Sequence, residues 1–387
     1  MNKTNVIKIV ALICAVTAAA VAGCEFSKMW NFREPSVIGE QTTVKKLSDY
    51  EPAMKGSNND CNVYILDSGK PGGTIFVFGG THPEEPASNI TTSLFLENAK
   101  LEQGRLIIVN RGNRSGSLAT RNGEAYPSFC HVKTEWGEKT WRTGDRCVNP
   151  LDSWPDPEVY IHYPSRQMLA YMDIRNTNRT WPGRANGLLA ERTTAAFVKL
   201  IEAEKVDLFI DLHEAELEYP VINTIVTHEK GQDLSAMTSM SLTAEEFEVP
   251  INMEFSPKAL HGLTHREVGD HTRAASILFE VAEPFLDRIR GITDEKLLMT
   301  GKDDFVRKAG EHKLLYSPID ENGWPINVRV GRHTSSILKS AEVFSQLHPE
   351  LAVVITDMPR YKELKKNGLG RYFHDPSKAP AERVVYD

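Results

Sequence analysis

The chain has 387 residues, of which 41% are hydrophobic and 25% are charged, and its formal net charge is −7. This composition is that of a globular protein, and the length suffices for one large domain with a buried core. The mild acidic balance lacks the basic surplus of nucleic-acid-binding proteins, so we expect no nucleic-acid partner.

The N-terminus has the pattern of an export signal. Lys3 and Lys8 precede a 15-residue apolar run, "IVALICAVTAAAVAG", which ends directly before Cys24. This run is shorter than the about 20 residues of a membrane span, but it fits a signal peptide with small residues before the cleavage site. "VAGC" also resembles a bacterial lipobox, which implies removal of residues 1–23 and a lipid on Cys24. We predict an exported chain anchored to the bacterial membrane through that lipid, on the periplasmic or outer-membrane side; an uncleaved anchor or a plain signal peptide are the alternatives.

Three further cysteines remain in the predicted mature chain, Cys61, Cys130 and Cys147. In an oxidising compartment Cys130 and Cys147 could pair and leave Cys61 over. The sequence does not decide between this disulfide and free thiols.

The first half of the chain predicts a tether followed by a βαβ unit. Residues 24–60 are polar and mixed and are typical of a tether and linker. "TIFVFGG" (74–80) is a β-branched and aromatic strand ended by two glycines, residues 87–100 form a helix, and "RLIIVN" (105–110) is a second buried strand. A strand, helix and strand in this order predict a sheet that is parallel at least in part.

Residues 111 to about 172 interrupt this pattern with many Gly, Pro, Trp, Arg and Asp residues. Because a structureless loop of this length is unusual in a compact domain, we predict an ordered insertion that forms one wall of a pocket. The elements predicted after it are a helix at 186–205, strands at 206–213, 221–228 and 274–283, a late helix at 334–347 and a late strand at 351–358.

Together these elements predict an α/β fold with a mixed, partly parallel twisted sheet flanked by helices. We expect a main domain over residues 61–295, interrupted by the insertion. Residues 296–387 are expected to form a C-terminal extension packed on that domain.

Ionisable residues recur at the carboxyl ends of the predicted strands, where ligands bind in open α/β sheets. His82 and Glu85 follow the first strand, His213 ends the strand at 206–213, and Glu280 lies near the end of the last strand of the sheet. Two His and one Glu form a known zinc set with a fourth position open to water, and these ligands suit Zn²⁺ better than Mg²⁺. A nearby carboxylate can take a proton from that water, and Glu280 is the candidate base. Asp211 has the same side-chain direction as His213 and is expected to orient a ligand.

These residues resemble the zinc carboxypeptidase superfamily, especially its succinylglutamate desuccinylase/aspartoacylase branch. The resemblance covers roughly residues 70–290 and rests on four motifs in order. They are "GGTHPEEPAS" (79–88) with the His-x-x-Glu signature, "RNTNRTWPG" (175–183) with an Asn-Arg pair, "DLH" (211–213) with the second histidine, and "LFEVAEP" (278–284) with the general base.

The resemblance implies one Zn²⁺ per chain, with His82, Glu85 and His213 as ligands and Glu280 as general base. It also implies that Asn178 and Arg179 bind a carboxylate of the substrate, on which an arginine can place two hydrogen bonds. Glu283 is the alternative base.

The family uses a further arginine to polarise the scissile carbonyl, and its position here is open. Arg142 and Arg175 are the leading choices, and Arg111, Arg114 and Arg146 remain alternatives. The sequence also departs from the branch at Pro83-Glu84, where its members usually have Gly-Asn or similar.

The implied activity is zinc-dependent hydrolysis of an amide bond adjacent to a free carboxylate, as in deacylases of N-acyl amino acids. A metallocarboxypeptidase or amidase acting on peptides, such as cell-wall peptides, is the alternative that export favours. A zinc-binding surface protein without turnover is a hypothesis from another class, against which Glu280 argues. We find no Gly-x-Ser-x-Gly elbow and no phosphate-binding glycine loop in the sequence, which argues against a serine hydrolase of that type.

Three histidines in "HGLTHREVGDH" (261–271) also invite a metal hypothesis. His261, His265 and His271 lack the His-Glu-x-x-His order of a zinc helix. We therefore expect them to be solvated or to lie at the edge of the pocket.

Overall fold

The structure is a computed structural model, and it describes residues 2–119, 126–285 and 293–387. Its strands are β1 (Pro35–Val37), β2 (Thr42–Lys46), β3 (Asn62–Asp67), β4 (Thr74–Phe78), β5 (Lys100–Gln103), β6 (Arg105–Val109), β7 (Phe129–Thr134), β8 (Gly137–Arg142), β9 (Tyr160–Ile161), β10 (Met168–Leu169), β11 (Leu208–Ala215), β12 (Thr224–Thr227), β13 (Asn252–Phe255), β14 (Ala275–Ala282), β15 (Val354–Thr356) and β16 (Val384–Tyr386). Its α-helices are α1 (Lys3–Asn31), α2 (Pro86–Asn98), α3 (Arg114–Ser117), α4 (Leu189–Ala203), α5 (Gln232–Glu245), α6 (Thr264–His271), α7 (Glu295–Thr300), α8 (Asp304–Glu311), α9 (Ile326–Leu347) and α10 (Tyr361–Asn367).

The central sheet is mixed, as the sequence predicts. Its strand order is β13-β12-β14-β11-β4-β6-β3-β2. The middle strands β14, β11, β4 and β6 are parallel to one another, whereas β12, β3 and β2 each run antiparallel to the neighbour nearer the centre. Three of the parallel strands, β4, β11 and β14, are neighbours, so their carboxyl ends meet at one edge of the sheet.

The central strands are buried on both faces, which explains their continuous apolar character. Ile75 and Val77 of β4 pack in a cluster with residues of α2, α5 and α9, while Phe76 and Phe78 pack on the other face in a cluster with α4. This alternation follows from the two-residue period of a strand. Helices therefore cover both faces and leave the carboxyl edge of the strands to carry the site.

The helices and strands after residue 325 differ in extent and pairing from the sequence-based predictions. The helix predicted at 334–347 begins earlier, at Ile326, directly after Pro325, which is extended with φ −60° and ψ 152°. The late strand β15 pairs with β5 in a separate two-stranded sheet. The C-terminal strand β16 pairs with β1, which lies in the segment predicted as a linker.

The first helix continues beyond the apolar run and ends at Asn31. By length and composition α1 is apolar enough to cross a membrane, and a signal sequence near an N-terminus has the same properties. Lipidation of Cys24 therefore stays a prediction.

The insertion contains β7–β10, while its residues 120–125 lie outside the described part of the chain. The disulfide considered between Cys130 and Cys147 is not formed, since both thiols are free. Cys130 is enclosed in an apolar cluster with Trp141, whereas Cys147 bridges to the backbone of Asn176. The two cysteines therefore belong to different parts of the insertion.

Candidate metal centre

The turn after β4 places two predicted ligands over the end of the sheet. Gly80 has φ +70°, and a Cβ there would lie 2.6 Å from Nδ2 of Asn89 and 2.7 Å from the carbonyl oxygen of Asn110. Only glycine fits this conformation and this space without strain. The chain then passes His82 and enters α2 at Pro86, directly after Glu85.

The three predicted ligands converge in the structure. Nδ1 of His82 lies 2.7 Å from Oε1 of Glu85, and Nδ1 of His213 lies 3.0 Å from Oε2 of the same carboxylate. The two imidazole rings stand edge to face with their centroids 4.7 Å apart. All three side chains are buried, and one ligand atom from each lies within 4.8 Å of the others. This group is called the first cluster below.

The outer nitrogen of each histidine faces an oxygen acceptor. Nε2 of His82 is 3.0 Å from Oδ1 of Asn176, and Nε2 of His213 is 2.9 Å from Oδ2 of Asp211. An imidazole that donates through Nε2 keeps the Nδ1 lone pair for a metal, which is the arrangement found around ligand histidines. Both Nδ1 atoms point at Glu85, so the set fits a metal ion.

These two acceptors are themselves fixed by hydrogen bonds. The hydroxyls of Thr81 and Thr264 donate to Asp211, at 2.8 and 2.7 Å. Oδ1 of Asn176 also accepts a hydrogen bond of 2.9 Å from the backbone N–H of Asn178. Asp211 thus has the contact that the sequence suggested, whereas the contact of Asn176 was not predicted, although this residue lies in the motif "RNTNRTWPG".

The electrostatics of the first cluster favour a cation. Burial raises the pKa of Glu85, but His82 and His213 together lower it well below its ordinary value. Burial lowers the pKa of His213, but Asp211 and Glu85 raise it well above the usual range. Burial also lowers the pKa of His82. Two carboxylates therefore surround His213 with negative charge that a divalent metal ion would neutralise.

Glu280 stands beside the first cluster on β14. It is the register partner of His213 on the neighbouring strand. Burial is the main cause that raises the pKa of Glu280 to about 8, and its Oε2 is buried without a hydrogen-bond partner among the described residues. The alternative base, Glu283, lies beyond the end of β14 and accepts a hydrogen bond of 2.8 Å from the backbone of Phe285.

Among the arginines of the insertion that the structure describes, Arg146 reaches the first cluster. Its Nε donates to Oε1 of Glu84 at 3.1 Å, and its Nη2 lies 3.7 Å from Oε1 of Glu85. Burial lowers the pKa of Arg146, but Glu84 and Glu85 raise it above its usual range. This guanidinium is therefore a fixed positive charge at the edge of the site.

The other arginines considered for the carbonyl have their described contacts elsewhere. Arg142 donates to the carbonyl oxygens of Phe32 and Ser117, Arg175 to Asp156, Arg111 to Glu34, and Arg114 to the carbonyl oxygen of Asn58. The two leading sequence-based choices, Arg142 and Arg175, thus form hydrogen bonds that hold the insertion in place.

The predicted carboxylate-binding pair borders the site. Oδ1 of Asn178 accepts from the backbone N–H of Thr264 at 3.0 Å, and its Nδ2 lies 3.4 Å from Nε2 of His213. Arg179 is half-buried and donates from Nη1 to the carbonyl oxygen of Asn178 at 2.8 Å. Burial lowers the pKa of Arg179, and Asp173 and Glu280 are among the charges that oppose this effect.

A buried ion pair from the C-terminal extension lies behind the first cluster. Nη1 of Arg329 on α9 is 2.5 Å from Oε1 of Glu214, and both side chains are fully buried. Oε2 of Glu214 accepts from the backbone N–H of Ala87 at 2.6 Å, and the N–H of Glu214 donates to Oε2 of Glu85 at 3.0 Å. This contact, to which no sequence pattern pointed, links α9 to the predicted ligand Glu85.

Comparison of the sequence with protein-family models and with curated proteins gives no match. Similar solved structures include a metallo-carboxypeptidase from Burkholderia cenocepacia, with 12% identity, a TM-score of 0.43 and coverage of 79% of this chain and 64% of the other. An aspartoacylase family protein from Mesorhizobium loti has 16% identity, a TM-score of 0.35 and coverage of 64% and 65%. A succinylglutamate desuccinylase from Silicibacter has 15% identity, a TM-score of 0.36 and coverage of 65% and 64%.

Both kinds of protein named by the sequence-based resemblance thus occur among these structures. The chain spans 64% and 65% of the length of the first two.

Proposed function

We propose that this chain is a zinc-dependent hydrolase that cleaves an amide bond adjacent to a free carboxylate of its substrate. The observation that carries the proposal is the convergence of His82 and His213 on the two oxygens of Glu85, with both outer nitrogens oriented by acceptors. Zinc held by these three side chains would supply an acidified water and a Lewis acid for the carbonyl.

Glu280 is the proton carrier in this proposal. Its raised pKa, about 8, lets the carboxyl group exchange a proton near neutral pH. Its orphaned Oε2 is the atom that would take a proton from water and give it to the leaving amine. A binding protein without turnover has no need of such a group.

Two arginines would bind the substrate. Arg146, which lies 3.7 Å from Glu85, would stabilise negative charge that develops on the carbonyl oxygen. Arg179, next to Asn178, would hold the free carboxylate with its guanidinium. These assignments define the substrate class as an amide that carries a carboxylate close to the scissile bond.

Within this class we propose a deacylase of N-acyl amino acids as the first candidate. The proposal includes an exported chain, cleaved after residue 23 and lipid-anchored through Cys24, with the hydrolase domain at 61–295. Such a location makes a peptide the alternative substrate, and both classes belong in the same assay.

The test uses the full chain purified in detergent. Metal content is measured for the wild type and for His82→Ala and His213→Ala, with the exposed His312→Ala as matched control. Hydrolysis is then measured with N-acyl amino acids and with peptides. We expect His312→Ala to behave as the wild type, and each of the other two variants to lose one zinc ion and all hydrolysis. Retention of that zinc in both variants would contradict the proposal.

A further inference from the structure

A second group of metal-ligand side chains joins the insertion to α6. His162 follows β9, His261 lies before α6, and Glu267 lies within it. One ligand atom from each of the three lies within 4.8 Å of the others. His162 and Glu267 are buried, and the side chain of His261 is 29% exposed. We propose that these three residues bind a second divalent metal ion, for which zinc is the best match.

His162 has an oxygen acceptor that orients its Nε2, as does each histidine in the first cluster. Its Nε2 lies 2.6 Å from the carbonyl oxygen of Trp181, so the proton resides on Nε2 and is donated to that oxygen. Its Nδ1 is then an acceptor, and it faces the hydroxyl of Ser165 at 2.7 Å. A hydroxyl can rotate away, whereas the ring stays fixed by its bond to the backbone.

Glu267 supplies a fixed and buried carboxylate. Its Oε1 accepts from the backbone N–H of Gly262 at 3.0 Å and lies 2.8 Å from Nδ1 of His261. Its Oε2 lies 3.1 Å from Nε2 of His271. The short contact between an imidazole nitrogen and a carboxylate oxygen parallels the 2.7 Å contact of His82 with Glu85 in the first cluster. A metal ion would replace it with two coordinate bonds.

The ligand types define the ion. Two imidazoles and one carboxylate suit Zn²⁺ better than Mg²⁺ or Ca²⁺, which prefer oxygen ligands alone. The imidazole rings of His162 and His261 are stacked with their centroids 5.8 Å apart, so both rings lie close to the proposed ion. The fourth position would be open to water.

The position of this site indicates what the metal ion would do. The carbonyl oxygen of Gly262 accepts a hydrogen bond of 3.1 Å from the N–H of Trp181, and the hydroxyl of Tyr160 donates to the carbonyl oxygen of Arg179 at 2.9 Å. Gly262 has φ +89°, and a Cβ there would lie 2.3 Å from that same carbonyl oxygen of Arg179. The metal ion would therefore fix the insertion and the segment before α6 against the turn that carries Arg179.

The test measures zinc binding in a background without the first cluster. The full chain with His82→Ala and His213→Ala is titrated with zinc alone by calorimetry, and its thermal unfolding is followed with and without zinc. We expect one bound zinc and a higher unfolding midpoint. Adding His261→Ala or Glu267→Gln should abolish both effects, whereas adding His312→Ala should preserve them.

Glu267→Gln keeps an oxygen that can accept the hydrogen bond from the N–H of Gly262. A loss of zinc binding in this variant therefore reflects the lost charge of the ligand and not a disrupted fold. The same substitution in the otherwise wild-type chain should reduce zinc from two ions to one, and provides a second measurement if the background variants fail to fold. The inference is overturned if Glu267→Gln and His261→Ala leave the zinc count and the zinc-dependent midpoint unchanged. It does not depend on the proposed function, whose failure would appear as retention of zinc in His82→Ala and His213→Ala.

Discussion

His213 and Glu280 are register partners on the neighbouring parallel strands β11 and β14. Partners in a parallel pair point to the same face of the sheet, so the imidazole and the carboxylate stand side by side. The sheet itself therefore fixes the spacing between the proposed metal ligand and the proposed base, and this spacing does not depend on the conformation of a loop.

This relationship makes Glu280→Gln a direct test of the base. We expect the rate of hydrolysis to fall by about 10²–10⁴-fold, the usual contribution of a general acid–base group, while zinc content stays at the wild-type level. Glu254→Gln, on the exposed strand β13, is the matched control and should retain activity. A wild-type rate of hydrolysis by Glu280→Gln would show that the Glu280 carboxylate is not the general base.

Asn176→Ala tests the orientation of His82. Because the variant removes the acceptor of the Nε2 proton, we expect zinc affinity to fall by about 10–100-fold, the usual effect of losing such a partner. Competition with a chelator measures this affinity. Asn176→Asp keeps an oxygen at the same place and should bind zinc more tightly than the alanine variant. Equal affinities in the two variants would argue against the orienting role.

Arg146→Met distinguishes the arginine that reaches the first cluster from those that the sequence favoured. Loss of a donor to the developing oxyanion is expected to lower kcat by about 10²–10³-fold. Arg175→Met removes a guanidinium that is bound to Asp156, and should change kcat much less. Steady-state kinetics on the same substrate compare the two variants. A larger loss of kcat in Arg175→Met than in Arg146→Met would show that Arg175 polarises the carbonyl.

Arg329→Met tests the buried ion pair behind the site. The variant leaves Glu214 buried without its partner, and loss of one partner of a buried pair costs about 3–5 kcal/mol of unfolding free energy. Denaturant unfolding measures this loss. The double variant with Glu214→Gln should recover part of it, because the unpaired charge is then absent. A single variant as stable as the wild type would show that the pair contributes little.

His333 on α9 predicts a loss of stability in acid. Burial lowers the pKa of this ring to about 3, and both ring nitrogens lack hydrogen-bond partners among the described residues. The unfolded chain, with a histidine pKa of about 6.5, binds more protons below neutral pH, so folding stability decreases as the pH falls from about 6.5 towards 3.

His333→Leu removes this group without breaking a hydrogen bond. Between pH 7 and pH 5 the variant should lose about 2 kcal/mol less unfolding free energy than the wild type. Denaturant titrations at the two pH values give the comparison. The burial of His265, whose pKa is likewise lowered to about 3, leaves a residual acid sensitivity in both proteins. Identical pH dependence in the two would show that His333 is not a neutral buried group.

The sequence by itself determined five neighbouring strands of the central sheet, β12, β14, β11, β4 and β6, and the residues at the carboxyl edge of the parallel ones, whereas β2, β3 and β13 were not predicted. Strands such as "TIFVF" and "LFIDLH" can be predicted because each is a short run of mostly apolar residues along the sequence. The glycines after the first strand mark where it ends. His82, Glu85, His213 and Glu280 could be placed at one edge because the ends of parallel strands meet there. Their meeting in the structure follows from that rule.

Only the tertiary structure decided which distant side chains meet them. Arg146 reaches the first cluster, and Arg142 does not, because of the path of the insertion, which no local pattern encodes. The contact of Arg329 with Glu214 joins residues 115 positions apart. The grouping of His261 with His162 likewise depends on how the insertion folds back onto the segment before α6. Hydrophobic periodicity reports which face of an element is buried, but the partners of a buried charge are set by where separate segments pack.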